Sequence, residues 1–143
     1  MIETNKIPMT LRAAYLSMHR QTSAHLAPYG VTADQFVCLH LLMDEDGIIQ
    51  QELVKRATSD PNTIRATLIL LEKRGFITRT IHPNDGRARI VNITEKGKKI
   101  FEKMVAALQP VRDRLSSNLS DEAAGQVNKL LNIIFKYMIN NSQ

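Results

Sequence analysis

Four turn-forming residues in succession, Pro83-Asn84-Asp85-Gly86, compel the chain to reverse within IHPNDGRARIV, Ile81 to Val91. Proline presets φ, and Asp-Gly tolerates positive φ. Strand-like runs flank the reversal, FITRTI before it and RIVNIT after it, so a β-hairpin is the expected product. Arg87 and Arg89 stand two residues apart and would point to the same side of a strand. A solvated hairpin tip and a finger built to touch something negative share this local chemistry, and only the surrounding sequence separates them.

Two short helices are expected ahead of the hairpin. QQELVKRA packs through Leu53, Val54 and Ala57, and TSD interrupts it. PNTIRATLILLEKRG then starts with Asp60 as N-cap and Pro61 at the first helical position. Its buried stripe is Ile64, Leu68 and Leu71, and Gly75 stands where helices commonly end in a left-handed residue. Asn62, Thr63, Arg65, Ala66 and Ile69 are left on the opposite side. Two helices, a tight turn and a hairpin are the order of a winged helix-turn-helix.

Long helices flank this lobe, which makes the fold class mainly α with a small β-wing. From Met9 to Tyr29 a stripe of Leu11, Ala14, Tyr15, Met18, Thr22, His25, Leu26 and Tyr29 keeps helical spacing, and Pro28 and Gly30 end it. Thr32 and Gln35 form a capping box, with Val31 and Phe36 as a hydrophobic staple. The helix they open, TADQFVCLHLLMDED, is apolar almost all round and belongs at the centre. After the hairpin, Thr94 caps a helix whose stripe runs through Ile100, Phe101, Met104, Val105, Leu108, Val111 and Leu115, with a bend expected at Pro110. Ser120, Asp121 and Glu122 open a last helix carrying Val127, Leu130, Leu131, Ile134, Phe135 and Met138. These terminal helices are too small for a core of their own and must dock on the body or on another copy of the chain.

The chain is of single-domain length, 143 residues, with a net charge of +5 that is unevenly placed. Val54 to Lys103 holds twelve Lys and Arg against five Asp and Glu, while the remainder holds seven against nine. A basic middle third containing the hairpin suits a polyanion-binding surface, or a solvated basic face. No apolar run approaches the roughly 18 residues of a membrane span, and MIETNKIPMT has no apolar core of a secretory leader. A cytoplasmic location is therefore expected. The single cysteine, Cys38, excludes a disulfide framework and a cysteine-rich zinc site. His19, His25, His40 and His82 show no recognised ligand spacing, and no catalytic motif, phosphate loop or dinucleotide fingerprint occurs. Neither a metal, a cofactor nor an enzymatic activity is expected.

The segment LLEKRGFITRTIHPNDGRARIVNITEKGKKI, Leu70 to Ile100, resembles the MarR family, the multiple-antibiotic-resistance type of bacterial transcription regulator. The likeness lies in Leu71-Glu72, Arg74-Gly75, Phe76-Ile77-Thr78-Arg79, Asp85-Gly86-Arg87 and Ile93-Thr94-Glu95-Lys96-Gly97. Gly86 departs from the pattern, since many relatives carry a further arginine there. The resemblance implies one MarR-type domain over residues 1–143, with a DNA-binding lobe at 32–93 and dimerisation helices at 8–30 and 94–140. It implies a homodimeric regulator, commonly a repressor, bound to a pseudo-palindromic operator in double-stranded DNA.

On that resemblance the helix from Pro61 enters the major groove. Arg65 would pair with guanine, Asn62 and Thr63 would act as short polar readers, Ala66 would touch a thymine methyl, and Pro61 and Ile69 would complete the face. Arg87 would enter the minor groove while Asp85 holds the tip. Lys55, Arg56, Arg79 and, on the wing, Arg89 would meet the backbone. Relatives often release DNA when a small aromatic or phenolic compound binds between the dimer helices and the lobe. Tyr15, His19, Cys38 and Leu42 are the candidates to line that site. A winged-helix module for protein or RNA, without operator specificity, is the alternative.

Overall fold

Capping chemistry defines the boundaries of the helical body in the structure, a computed structural model that describes residues 2–140. Helix α1 spans Ile7–Leu26 and passes through a 3-10 turn, Ala27–Tyr29, into Gly30 at φ 68°. It starts before the expected Met9 because Pro8 fits the first helical turn, where no backbone donor is needed. It tightens at Ala27 because Pro28 has no N–H to continue the helix. The expected apolar stripe of α1 is not a core stripe within one chain. Leu26 alone on α1 is buried, and Met18 is 44% exposed.

Helix α2, Ala33–Asp44, begins at the expected capping box. Thr32 Oγ1 accepts from Gln35 N at 3.1 Å, and Gln35 Oε1 accepts from Thr32 N at 3.0 Å. Cys38, Leu39 and Leu42 have no exposed surface, as a central helix requires. Around α2 the core gathers Leu26, Leu53, Ile64, Leu68, Leu71, Ile77, Val91 and Met104.

The lobe follows with α3, Gln50–Arg56, and α4, Pro61–Lys73. The turn between them contains Thr58 at φ 49°. Asp60 caps α4 twice over: its carboxylate accepts from Thr63 N at 3.0 Å and from Thr63 Oγ1 at 3.1 Å. Beside the expected Ile64, Leu68 and Leu71, α4 buries Thr67, whose hydroxyl donates to the Thr63 carbonyl at 2.9 Å. Gly75 at φ 76° then redirects the chain into the sheet.

That sheet has three antiparallel strands in the order β1-β3-β2, one more than the hairpin alone: β1 is Ile48–Ile49, β2 Ile77–His82 and β3 Asp85–Ile93. Ile48 pairs with Val91 and Ile77 with Ile93, while Asp46 Oδ1 accepts from Ile93 N at 2.8 Å. The hairpin turn is tighter than Pro83–Gly86. His82 already faces Asp85, so only Pro83 and Asn84 make the connection, and Gly86 lies in β3 without positive φ. Side-chain acceptors shape the tip instead of a left-handed residue. His82 Nδ1 accepts from Asn84 N, and Asp85 Oδ1 from Arg87 N, both at 3.0 Å.

Thr94 N donates to the Phe76 carbonyl at 3.0 Å, and its hydroxyl accepts from Gly97 N at 3.0 Å to start α5, Glu95–Ala107. Gly97 packs its backbone directly on Phe76 and Ile93. The bend expected at Pro110 is a break: α5 stops at Ala107 and a new helix, α6, spans Gln109–Asn118. Proline cannot donate to the previous turn and its ring would clash there, so it sits in the first turn of α6.

From Gln109 onward the chain forms a second compact unit containing α6 and α7, Asp121–Asn140. Ser120 Oγ accepts from Ala123 N at 3.1 Å to open α7 as expected. Its apolar residues stay open, with Leu130 60% exposed. The ends of the expected domain, Met1 and residues 141–143, lie outside the described residues.

Candidate nucleic-acid interface

One open cleft, of about 430 Å³, brings together side chains far apart in sequence. Arg65 reaches it from α4, and Asp85, Arg87, Ala88 and Arg89 from β3. Ile49, Gln50, Gln51 and Val54 close the side formed by β1 and α3. The α4 arginine and the two hairpin arginines thus border the same concave surface. Gln50 and Gln51 were not anticipated, because QQELVKRA reads only as a packing helix; its signal was two adjacent amides ahead of the buried stripe.

The polar face of α4 is open along its length. Pro61, Asn62, Thr63, Arg65, Ala66 and Ile69 are all exposed, and Arg65 Nη1 donates to Asn62 Oδ1 at 3.2 Å. That contact holds the guanidinium beside a short amide without neutralising it. In the hairpin, the Arg87 side chain is 97% exposed and its Nε lies 3.8 Å from Asp85 Oδ1. Arg89 folds back instead, donating to the carbonyls of Gly86 at 3.1 Å and Ala88 at 3.2 Å. The two arginines divide their work: Arg87 projects and Arg89 braces the strand.

Of the four expected backbone contacts, Arg56 and Arg79 are already committed to carboxylates within the lobe. Arg56 pairs with Glu52 at 3.0 Å and with Glu45, and both carboxylates raise its pKa. Arg79 donates to Glu72 Oε1 at 2.9 Å and to Gln50 Oε1 at 3.3 Å. The hydrogen bond from Arg79 holds the Glu72 carboxyl below its ordinary range. Arg79 Nε is buried without a partner among the described residues. Arg79 therefore acts as a tie between β2, α4 and α3, and sequence patterning had no means of placing its partners. Lys55 is exposed.

The four expected effector-site residues do not share a surface. Tyr15 is 59% exposed and stacks on His19 at 5.6 Å, whereas Cys38 and Leu42 are fully buried and cannot line an open crevice in this chain. Burial, reinforced by Asp34, pushes the Cys38 thiol up to about 12, so the thiolate is suppressed at neutral pH. Between α2 and α5 a different aromatic group forms: Phe36 stacks on Phe101 at 5.5 Å, with His40 edge-on to both at 5.8 Å. Among the described residues no cluster of three His, Cys, Asp or Glu could hold a metal ion, and no helix is long and apolar enough to cross a membrane.

The family model described as MarR family matches residues 31–88, from the start of α2 through the hairpin tip. The HTH-type transcriptional repressor Rv2887 of Mycobacterium tuberculosis is 26% identical over 111 residues, covering 78% of this chain and 80% of that protein. Among solved structures, a mutant MarR from Escherichia coli, complexed with operator DNA, superposes with a TM-score of 0.81 at 25% identity, covering 92% of this chain and 95% of that one. BpsR of Bordetella bronchiseptica, whose DNA binding is regulated by 6-hydroxynicotinic acid, shares the fold with a TM-score of 0.81 at 24% identity, covering 90% of this chain and 98% of that one. Element order, hairpin and family match agree: the chain resembles the MarR family of transcriptional regulators, whose model matches it from α2 through the hairpin tip.

Proposed function

We propose that the protein is a homodimeric, sequence-specific DNA-binding repressor that a small aromatic effector releases from its operator. The convergence of Arg65, Arg87 and Arg89 on one cleft carries this reading. Cationic groups held by a helix and a hairpin on one surface suit the alternating grooves of a duplex. The repressor relative and the operator complex of MarR support the same function.

In this reading residues 32–93 form the DNA-binding lobe, and residues 8–30 and 94–140 the dimerisation helices of one MarR-type domain. The exposed apolar residues of α1, and separately those of α7, are what a second copy would cover. Two-fold symmetry then calls for a pseudo-palindromic operator with half-sites about 10 base pairs apart. Arg65 reads a guanine, Asn62, Thr63 and Ala66 supplement it, and Arg87 enters the minor groove with Asp85 fixing the tip. Lys55 meets a phosphate, while Arg56 and Arg79 act through the carboxylates they hold. The half-buried Phe36–Phe101 stack and the example of BpsR support an aromatic effector. The protein acts in the cytoplasm, where its operator lies.

Binding of the purified protein to its own upstream DNA, against scrambled DNA at two salt concentrations, tests the reading. Tight, salt-dependent binding is expected, and Arg87→Ala should weaken it and reduce the slope of log K against log salt by about one. Weak binding that is equal on both DNAs, together with an empty genome-wide selection for bound fragments, would refute it.

A further inference from the structure

Gln50 lines the cleft at the start of α3 and is also the residue that Arg79 grips through Oε1 at 3.3 Å. A guanidinium has donors only, so it accepts no alternative orientation of the amide: the Gln50 oxygen must face Arg79. Arg79 is itself fixed by Glu72 at 2.9 Å, and its side chain is only 22% exposed. The amide's NH2 end is therefore the end left for the cleft. A glutamine free in solution presents donor or acceptor with equal ease, but this one is set as a donor before any ligand arrives.

Resting on the DNA-binding reading, we infer that Gln50 is a DNA-contact residue which donates its side-chain amide to a phosphate oxygen of the bound duplex, with Arg79 as its positioning residue. The first helix of a helix-turn-helix crosses the phosphate backbone while the second enters the groove, so the acceptor offered to α3 is a phosphate oxygen. Gln50 thus adds a contact from an uncharged side chain to the cleft that Arg65 and Arg87 also line. The Glu72–Arg79–Gln50 chain links α4, β2 and α3, so the donor direction is set by the same residues that pack the lobe.

Two variants test this on the full-length protein, with operator and scrambled duplexes as probes. Gln50→Met removes the donor without adding charge. Binding should weaken about ten- to a hundredfold on both duplexes, the worth of one hydrogen bond to a charged group. The slope of log K against log salt should stay at the wild-type value, because no cation is lost. Gln50→Glu keeps an oxygen for Arg79 but replaces the donor, so its thermal midpoint should not fall while its DNA binding weakens at least as much.

Wild-type affinity in either variant overturns the inference and leaves the regulator reading intact. A loss confined to the operator overturns the phosphate assignment. Absence of salt-sensitive binding by the wild type overturns both the inference and the reading beneath it.

Discussion

Helix propensity and packing make opposite forecasts for Gly97→Ala. In the interior of a helix, alanine is favoured over glycine by about 1 kcal/mol. At this position, however, a Cβ would overlap the Phe76 carbonyl oxygen, with Ile93 Cγ1 at 2.8 Å and the Phe76 carbonyl carbon at 3.0 Å. A flexible side-chain end would give way cheaply, but the Phe76 backbone cannot. Its oxygen accepts from Thr94 N at 3.0 Å, and the residue is buried at the root of β2. The start of α5 must therefore lift off the sheet. Overpacking of this kind costs roughly 1–3 kcal/mol, and a buried backbone group left without its partner costs about 1–3 kcal/mol more.

Offset by the gain in propensity, the net loss is roughly 1–5 kcal/mol. The thermal midpoint should fall by roughly 3–20 °C. Circular dichroism melts at one fixed protein and salt concentration read this directly. Gly125→Ala in α7 is the control, because nothing lies within 4 Å of a Cβ there. It should raise stability by up to about 1 kcal/mol. A Gly97→Ala midpoint equal to or above the wild type would refute the close-packing account of the β3–α5 junction.

Arg65→Ala should lower the preference for operator over scrambled DNA by about 1–3 kcal/mol while leaving the melting temperature near wild type; an unchanged preference, measured by competition binding, would remove Arg65 from base reading. Cys38 should resist thiol reagents at neutral pH until the protein is denatured, since its folded pKa is about 12 against an ordinary 9.0. The sign of the linkage follows: an unfolded chain releases the thiol proton above about 9 while the folded one retains it. Stability from this source is complete below that pH and is lost as pH rises toward 12. Urea midpoints of Cys38→Ala should therefore decline less between those values than those of the wild type.

Where chemistry is local, the sequence is a reliable guide to this fold. Thr32 with Gln35, Asp60 with Thr63 and Thr94 with Gly97 each act over three residues, and each forms the expected cap. Helical spacing also identifies the buried stripe of α4, apart from Thr67, whose hydroxyl is satisfied within its own helix. The misses are non-local. Strand β1 exists because Ile48 finds Val91 across the lobe, and two residues carry no strand signal by themselves. Arg79 looks like any basic residue near a wing until Glu72 and Gln50 are placed beside it. Tyr15 and Cys38 both fall on apolar helix faces, yet one is open and the other sealed. Periodicity gives direction around a helix and says nothing of what stands opposite.

The short strand β1 also divides the hairpin into two mechanical regions. It pairs with Ile90 and Val91 only, so the root of β3 is held on both edges while Asp85 to Arg89 is held by β2 alone. Amide exchange should follow that division, slow at Val91 and Ile93 and fast toward Arg87. The tip can then bend on a nanosecond to microsecond timescale without opening the core beneath it. Motion of the segment that carries Arg87 is in this way uncoupled from the unfolding of the lobe at its root.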